Sequence, residues 1–244
     1  MGLSGYPDVT KAGPRAALAE LVYPQIMKGV RVILAALGDL HGNWPALEAV
    51  LTQIDDEGIQ TVVNTGDCIV GHQWSNEVIA CLREREILTV QGGFDRQVAR
   101  FMVRKRSLKA RHDAQEFAEI ERAYESCGSE NLEFLGGLPR QHDITVDGIH
   151  VAVCHGTLAS QAESLTEDEG DDRYLRQREI VPADIIIFGR THVPHWRWAG
   201  GTLFVNPGSV GMPLGEEPRA GYAVISTETD PWEVEQRWVE YAPR

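Results

Sequence analysis

The chain has 244 residues, 43% of them hydrophobic, which is enough for one large domain or two small ones with a sizeable core. Its formal net charge of −13 disfavours nucleic acid as the primary partner, because a phosphate backbone is bound by a basic surface. The 4 cysteines form no C-x-x-C pair, and a chain of this length needs no disulfides, so we expect reduced thiols and a cytoplasmic location.

Residues 1–29 precede the first strand pattern and are interpreted as an N-terminal extension, with a short helix predicted over 14–22. This stretch lacks a basic start followed by a clear apolar run, so it does not resemble a signal peptide. No apolar run approaches the roughly 20 residues of a membrane span, and we therefore expect no membrane partner. Residues 30–244 are predicted to form one domain.

Strand and helix patterns alternate from residue 30 onwards. The run "VRVILAAL" is typical of a buried strand, and helical spacing follows from Asn43 to Gly58. Further strands are predicted at "TVVNTGD" and "EILTVQGG", with a helix over 77–85 between them. Residues 94–136 are charge-rich and helical, with one apolar face formed by Phe117, Ile120 and Tyr124.

The second half of the chain is richer in strands. The segment "HDITVDGIHVAVCHG" predicts a hairpin that turns at Asp147-Gly148. Four more strands are predicted at "ADIIIFG", "GTLFVNPG", "AGYAVIST" and "WEVEQRWVEY". The stretch "LTEDEGDD" is interpreted as a solvated acidic loop.

Several predicted strands end in a glycine beside a polar side chain that could bind a metal. In open α/β sheets the loops at the carboxyl ends of strands converge, so these side chains are expected around one point. The oxygen and nitrogen donors at these ends suit Mn, Fe, Zn or Ni. They are Asp39, His41, Asp67, His155 and His192.

Five short motifs between about Arg31 and Tyr241 carry a family resemblance. They are "GDLHGN", "GDCIVG", "VCHG", "GRTHVP" and "FVNPGSVGMP". Together they are similar to the calcineurin-like metallophosphoesterase superfamily and, within it, to the small prokaryotic phosphodiesterase branch. The resemblance implies an α/β fold, a four-layer αββα sandwich of two mixed β-sheets flanked by helices.

The resemblance also implies hydrolysis of phosphate esters at a two-metal site, with water activated by metal. Asp39, His41 and His192 would then bind the first ion. Asp67 would bridge to a second ion, and His155 would be a ligand of that second ion.

The segment "QGGFDRQ" and the motif "GRTHVP" depart from the family pattern. Gly93 stands where the family has an asparagine ligand of the second metal, and Phe94 where it has a histidine that assists the leaving group. Arg190 replaces another histidine, and a guanidinium about 4 Å from a dication would cost on the order of 8 kcal/mol at an effective dielectric constant near 20. We therefore expect one tightly bound divalent transition metal and disfavour a second ion.

Arg190 is open to two interpretations: a positively charged fork for a phosphate, or a side chain that turns out to an acidic neighbour. The acid missing at Phe94 could be supplied by His72 or His195, although each could equally be a surface or structural histidine. The predicted catalytic residues are accordingly Asp67, Arg190 and His72. Asp95 is expected to orient a neighbour rather than bind metal.

Substrate contacts are predicted at Asn43 and Arg190 and in the loop "VNPGSVG". There Asn206, Gly208 and Ser209 could present an amide, a bare backbone and a hydroxyl to a phosphate, as backbone nests do. The alternative for this loop is a plain Gly-Pro turn.

Two functions follow from these residues. The first is a metal-dependent phosphoesterase, more specifically a phosphodiesterase, that acts on a small phosphorylated substrate. The second is a non-catalytic protein of the same fold that binds a phosphoryl ligand. A Ser/Thr phosphatase is disfavoured because "GDCIVGHQW" lacks the Asp-Arg-Gly expected there. Assembly into a homo-oligomer is left open.

Overall fold

The structure is a computed structural model that describes residues 33–214 and 219–243. The extension 1–29, with its predicted helix, lies outside the described residues. Within the described residues, ten strands form two five-stranded sheets, in the orders β10-β9-β1-β2-β3 and β4-β5-β6-β8-β7. The strands are β1 (Ile33–Leu37), β2 (Thr61–Asn64), β3 (Leu88–Thr89), β4 (Gln141–Val146), β5 (Ile149–Cys154), β6 (Ile185–Ile187), β7 (His195–Ala199), β8 (Thr202–Asn206), β9 (Arg219–Ser226) and β10 (Glu233–Glu240).

Both sheets are mixed. In the first sheet β1 pairs in parallel with β2 and antiparallel with β9. In the second sheet β5, β6 and β8 run parallel, while β4 and β7 pair antiparallel at the two edges. The carboxyl ends of β1, β2, β5 and β6 therefore carry the polar loops that the sequence singled out.

The helices are α1 (Trp44–Asp56), α2 (Ser75–Glu84), α3 (Gly93–Ala99), α4 (Phe101–Arg111), α5 (Ala114–Ser126), α6 (Ser129–Gly137) and α7 (Asp171–Ile180). The sequence predicted one helical stretch over 94–136, which the structure divides into four short helices. Phe117 and Ile120 are buried and Tyr124 stacks on Phe101 with ring centroids 4.9 Å apart, as the apolar face predicted. No helix among the described residues is long and apolar enough to cross a membrane.

Buried apolar side chains form three clusters. One cluster lies between the sheets and includes Leu34 and Val63 from the first and Val151 and Ile187 from the second. A second cluster joins the outer face of the first sheet to α1–α6, and a third packs α7 through Tyr174 against the second sheet. The predicted four-layer αββα sandwich is confirmed.

The β4–β5 hairpin turns where the sequence predicted it. Asp147 and Gly148 have φ values of 48° and 83°, the left-handed pair that a tight hairpin turn requires.

Two expectations about secondary structure need correction. The third strand is reduced to Leu88–Thr89, and α7, which was not predicted, begins inside the acidic stretch at Asp171.

Candidate metal centre

The turn between β1 and α1 carries Asp39 and His41 in the left-handed backbone region, with φ values of 53° and 49°. Their amides donate to the carbonyl oxygens of Gly66 at 3.0 Å and Asp67 at 2.9 Å, which ties this turn to the loop after β2. Asp67, Arg190 and His192 are also left-handed. Backbone strain of this kind costs about 1–3 kcal/mol per residue and clusters at functional sites.

The structure brings all five predicted ligands together in two overlapping groups. Asp39, His41 and His192 form one group, and Asp39, Asp67 and His155 form the other. Within each group the candidate ligand atoms all lie within 4.8 Å of one another. Asp39 is the carboxylate common to both groups, whereas the resemblance implied a bridging Asp67; the identity of the bridge stays a prediction.

Each of the three histidines presents its Nε2 atom to the centre. The Nδ1–H groups of His41, His155 and His192 donate to the carbonyl oxygens of Val70 at 2.7 Å, Thr65 at 2.9 Å and Met212 at 2.8 Å. In a neutral imidazole this leaves the lone pair on Nε2, which is the form that binds metal. These three carbonyl groups have no signature in the sequence.

The Nε2 atoms of His41 and His192 are 3.1 Å apart. With Nδ1–H donating on both rings, neutral imidazoles would place two acceptors against each other, an arrangement that a shared cation stabilises. Oδ1 of Asp39 and Nε2 of His155 are buried and make no hydrogen bond within the described residues, although each lies near a charged group, Nε2 of His192 at 3.5 Å and Oδ2 of Asp67 at 3.3 Å. Buried polar atoms normally make hydrogen bonds, so two that make none fit a divalent metal ion.

The pKa shifts at the site are consistent with metal binding. Burial lowers the pKa of His41, against the opposing charges of Asp67 and Asp39, so its imidazole is neutral and able to coordinate. Burial is the largest effect on the pKa of His155 and would lower it, but the charge and hydrogen bond of Asp67 and the charges of Asp39 and Asp95 together raise it to about 9. Burial is also the largest effect on the pKa of Asp67 and would raise it, but His155, the charge of His41 and the backbone amide of Phe94 together lower it. Without metal, His155 and Asp67 form an ion pair of 3.3 Å, whose proton metal binding would release.

The three residues that depart from the family pattern, Gly93, Phe94 and Arg190, lie beside Asp67. A Cβ atom added to Gly93 would lie 3.9 Å from Oδ1 of Asp67 and 3.8 Å from Nη1 of Arg190. The space of the absent asparagine is therefore open, and the Arg190 guanidinium borders it. Phe94 donates its backbone amide to Oδ1 of Asp67 at 2.7 Å, and its ring meets the His41 ring edge-on.

Asp95 orients two backbone segments, as the sequence predicted. Its carboxylate accepts from the amides of Cys68 at 2.9 Å and Gly92 at 2.8 Å. Burial, and then the charge of Asp67, raises the pKa of Asp95 to about 7. Asp95 thus joins the loop after β2 to the start of α3, but it belongs to neither ligand group.

Replacing Asp95 by alanine would leave both amides buried without an acceptor. We expect the free energy of unfolding to fall by about 2–4 kcal/mol, since each unsatisfied donor costs roughly 1–3 kcal/mol. Asp95→Asn keeps one carbonyl acceptor, so its free energy of unfolding should fall by about half as much as in Asp95→Ala. Urea denaturation of the metal-free variants measures this, and an Asp95→Ala loss below about 1 kcal/mol would contradict the orienting role.

Asn43 was predicted to contact substrate, which stays a prediction; the structure shows it in a structural role. The side chain is 1% exposed, and Oδ1 caps α1 by accepting from the amide of Ala46. Its Nδ2 donates to the carbonyl of Gly211 at 3.0 Å and to the hydroxyl of Tyr241 at 2.9 Å. Asn43 therefore joins the first turn to the closing loop.

The loop after β8 was predicted to bind phosphate through Asn206, Gly208 and Ser209, and this too stays a prediction. Asn206 is fully buried, donates to Thr191 Oγ1 at 2.9 Å and accepts from the amide of Gly208. The Ser209 hydroxyl donates to the carbonyl of Asp39 at 2.7 Å. These polar groups are engaged within the protein, and the loop holds the Asp39 turn in place.

The two candidate replacement acids differ in position. His72 is exposed, stacks on Trp74 and has Nε2 3.2 Å from the carbonyl oxygen of Gly211. His195 is buried, with Nε2 3.0 Å from the Tyr174 hydroxyl, and burial lowers its pKa. Neither belongs to the ligand groups. His195 is therefore structural, while catalysis by His72 stays a prediction.

Residues that the sequence analysis missed lie in the cavity beside Arg190. Four arginines of α3, α4 and their junction line it, and the spacing of Arg96, Arg100 and Arg104 by four residues was a readable signal. Arg140 was not readable in this way, because only the fold brings it to the same cavity.

The αββα sandwich and its Asp–His cluster define an α/β protein with a candidate site for a divalent metal ion. The family model of the calcineurin-like phosphoesterase superfamily domain matches residues 32–230. The chain belongs to this superfamily, as the motifs indicated. Membership supports a general phosphoesterase function with divalent metal.

One relative and two solved structures illustrate the likeness. The chain is 30% identical to the uncharacterized protein MJ0912 of Methanocaldococcus jannaschii, over 87% of this chain and 89% of that one. The structure of PH1004 from Pyrococcus horikoshii has a TM-score of 0.76 at 21% identity, covering 86% of this chain and 89% of that one. A metallophosphoesterase from Sphaerobacter thermophilus has a TM-score of 0.67 at 22% identity, covering 86% and 90%. These two structures bear on the fold alone.

Proposed function

We propose that this protein is a phosphodiesterase that hydrolyses a small phosphorylated substrate with one tightly bound transition-metal ion, such as manganese. The observation that carries the proposal is the convergence of three oriented imidazole Nε2 atoms on the carboxylates of Asp39 and Asp67. The four cysteines are free and buried, which supports a cytoplasmic location.

Asp39, His41 and His192 would hold the ion, with Asp67 and His155 beside them. A divalent ion at this position supplies a Lewis acid that lowers the pKa of coordinated water and polarises a phosphoryl oxygen. Asp67, kept ionised by His155, contributes negative charge that favours the cation. Four of the five candidate ligands, Asp39, His41, Asp67 and His155, are buried, which limits competition from bulk water.

Arg190 is proposed to bind a non-bridging phosphoryl oxygen. Its backbone amide donates to Oδ2 of Asp39 at 3.0 Å, which anchors the residue, while the side chain is exposed. Its guanidinium borders the space beside Gly93 and would repel a second dication there by about 8 kcal/mol at 4 Å. This supports one ion rather than two.

Phe94 cannot donate a proton, and loss of a general acid typically costs about 10²- to 10⁴-fold in rate. The substrate is therefore proposed to have a leaving group that is stable as an anion, such as a phenolate or a phosphate, rather than a simple alcohol.

The experiment compares bis(4-nitrophenyl) phosphate with 4-nitrophenyl phosphate, using protein purified without chelator and supplied with Mn²⁺. We expect the diester to be hydrolysed with the higher kcat/KM, and chelation to abolish turnover until Mn²⁺ is returned. Preference for the monoester would overturn the diesterase assignment. Absence of metal-dependent turnover on both would overturn hydrolysis itself.

The second candidate function, a non-catalytic binder of a phosphoryl ligand, is favoured by Phe94 and Gly93. It predicts that wild type binds phosphate without turnover and that the triple variant G93N/F94H/R190H gains turnover. If wild type turns over the diester, this candidate is excluded.

A further inference from the structure

A basic cavity opens beside the metal centre of this acidic protein. Its volume is about 420 Å³, within the range of small-molecule sites. Within the described part of the chain, none of its lining residues is an aspartate or glutamate, although the sequence has 36 of them. Six arginines line it: Arg96, Arg100, Arg104, Arg111, Arg140 and Arg190.

The arginines of α3 and α4 share one helical face. Hydrogen bonds from the amide of Arg100 to the carbonyl of Arg96 at 3.2 Å, and from Arg104 to Arg100 at 3.0 Å, continue the helical spacing across the junction. Like charges four residues apart destabilise a helix. Neutral or acidic residues would be more favourable there if the face served folding alone.

Among the residues that the structure describes, no carboxylate forms an ion pair with these six guanidinium groups. Over residues 33–214 and 219–243, the ion pairs involve other arginines, for example those at 83, 85, 173, 176, 197 and 237. Five of the six are exposed, and only Arg96 is half-buried. Burial and the charges of Arg140, Arg100, Arg104 and Arg111 lower the pKa of Arg96, so these groups are close enough to repel one another.

The cavity is continuous with the proposed catalytic site. Arg190 and Gly93 line it, and Arg190 also donates its amide to the metal-ligand candidate Asp39. On the other wall, Gln161 lines the cavity and donates to the carbonyl of Gln91. A molecule whose scissile phosphate meets the metal centre would extend past Arg190 into the arginines.

Guanidinium groups bind phosphate oxygens through paired, charge-assisted hydrogen bonds. We propose that the substrate is a small molecule with at least one further phosphate group, and that this group binds in the cavity formed by the six arginines. The inference rests on the phosphoesterase function proposed for the adjoining site. The cavity volume of about 420 Å³ and the net charge of −13 favour a small molecule over a nucleic-acid strand.

The test measures binding rather than turnover, with the metal-free full chain and titration calorimetry. The probes are tripolyphosphate and orthophosphate. We expect wild type to bind tripolyphosphate at least about tenfold more tightly, because the longer anion reaches several guanidinium groups. In R100Q/R104Q the affinity for tripolyphosphate should fall by roughly a hundredfold, about tenfold for each group removed.

The matched control is R176Q/R178Q, which makes the same change of charge on α7, away from the cavity lining. Its affinity for tripolyphosphate should stay within about twofold of wild type. Since R100Q/R104Q removes unpaired like charges, its melting temperature should not fall, which separates lost binding from lost folding. Equal binding by wild type and R100Q/R104Q would overturn the proposal.

Two further outcomes are decisive. An oligothymidylate of 12 nucleotides, roughly the site size of a single-strand binder, should bind more weakly than tripolyphosphate. Tighter binding that R100Q/R104Q abolishes would assign the cavity to single-stranded nucleic acid and overturn the proposal. If tripolyphosphate binds through the arginines but the Mn²⁺-loaded chain hydrolyses neither nitrophenyl ester, the proposed function fails while the polyphosphate site stands.

Discussion

Replacing His41 by alanine is expected to lower Mn²⁺-dependent kcat/KM for the diester by at least about 10³-fold. Loss of residues that merely orient a ligand typically costs about 10- to 100-fold in affinity or activity, and His41 is proposed to be a ligand itself. Its Nε2 faces that of His192, and its Nδ1 donates to the carbonyl of Val70, so the ring is held in the orientation that metal binding requires.

The matched control is His150→Ala. His150 lies on β5, where it pairs with Asp143 on the adjacent strand, outside both ligand groups. It should keep metal content and kcat/KM within about twofold of wild type. If both alanine variants lose activity equally, or if His41→Ala retains full metal and activity, His41 is not a ligand. Metal content by elemental analysis and initial rates give the answer.

Gly92→Ala is expected to have the largest effect on stability. A Cβ atom at Gly92 would lie 2.1 Å from the backbone nitrogen of Asp67 and 2.2 Å from its Oδ1. Overpacking usually costs about 1–3 kcal/mol, and here the obstacle is backbone that is itself fixed by Asp95. We therefore expect a loss of at least about 3 kcal/mol in the free energy of unfolding, together with loss of metal binding.

The neighbouring Gly93 provides the control. A Cβ atom there meets nothing closer than 3.8 Å, so Gly93→Ala should change the free energy of unfolding by less than about 1 kcal/mol. Chemical denaturation of both variants measures the difference. Similar stabilities for Gly92→Ala and Gly93→Ala would show that the approach of Gly92 to Asp67 does not constrain the centre.

The clustering of the five candidate ligands could be predicted from sequence because each lies in a short local pattern. Asp39, His41 and Asp67 directly follow buried strands, and parallel strands deliver such residues to one edge of a sheet. The hairpin at Asp147-Gly148 was likewise local, since two left-handed residues define its turn.

What the sequence did not predict depends on contacts between distant residues. The hydrogen bonds of Asn43 could not be predicted because its partners, Gly211 and Tyr241, lie 168 and 198 residues further along the chain. The arginine cavity needed the fold to bring Arg140 to α3 and α4. The start of α7 was hidden because acidic residues suit both a solvated loop and the first turn of a helix.

The most direct test of the metal centre is the number of metal ions per chain after purification without chelator. We predict close to one ion per wild-type chain, and close to two in G93N/R190H, which restores two ligands and removes the competing charge. A wild-type chain that binds no transition metal would contradict the centre itself. Two ions in the wild type would contradict the exclusion of the second ion by Arg190.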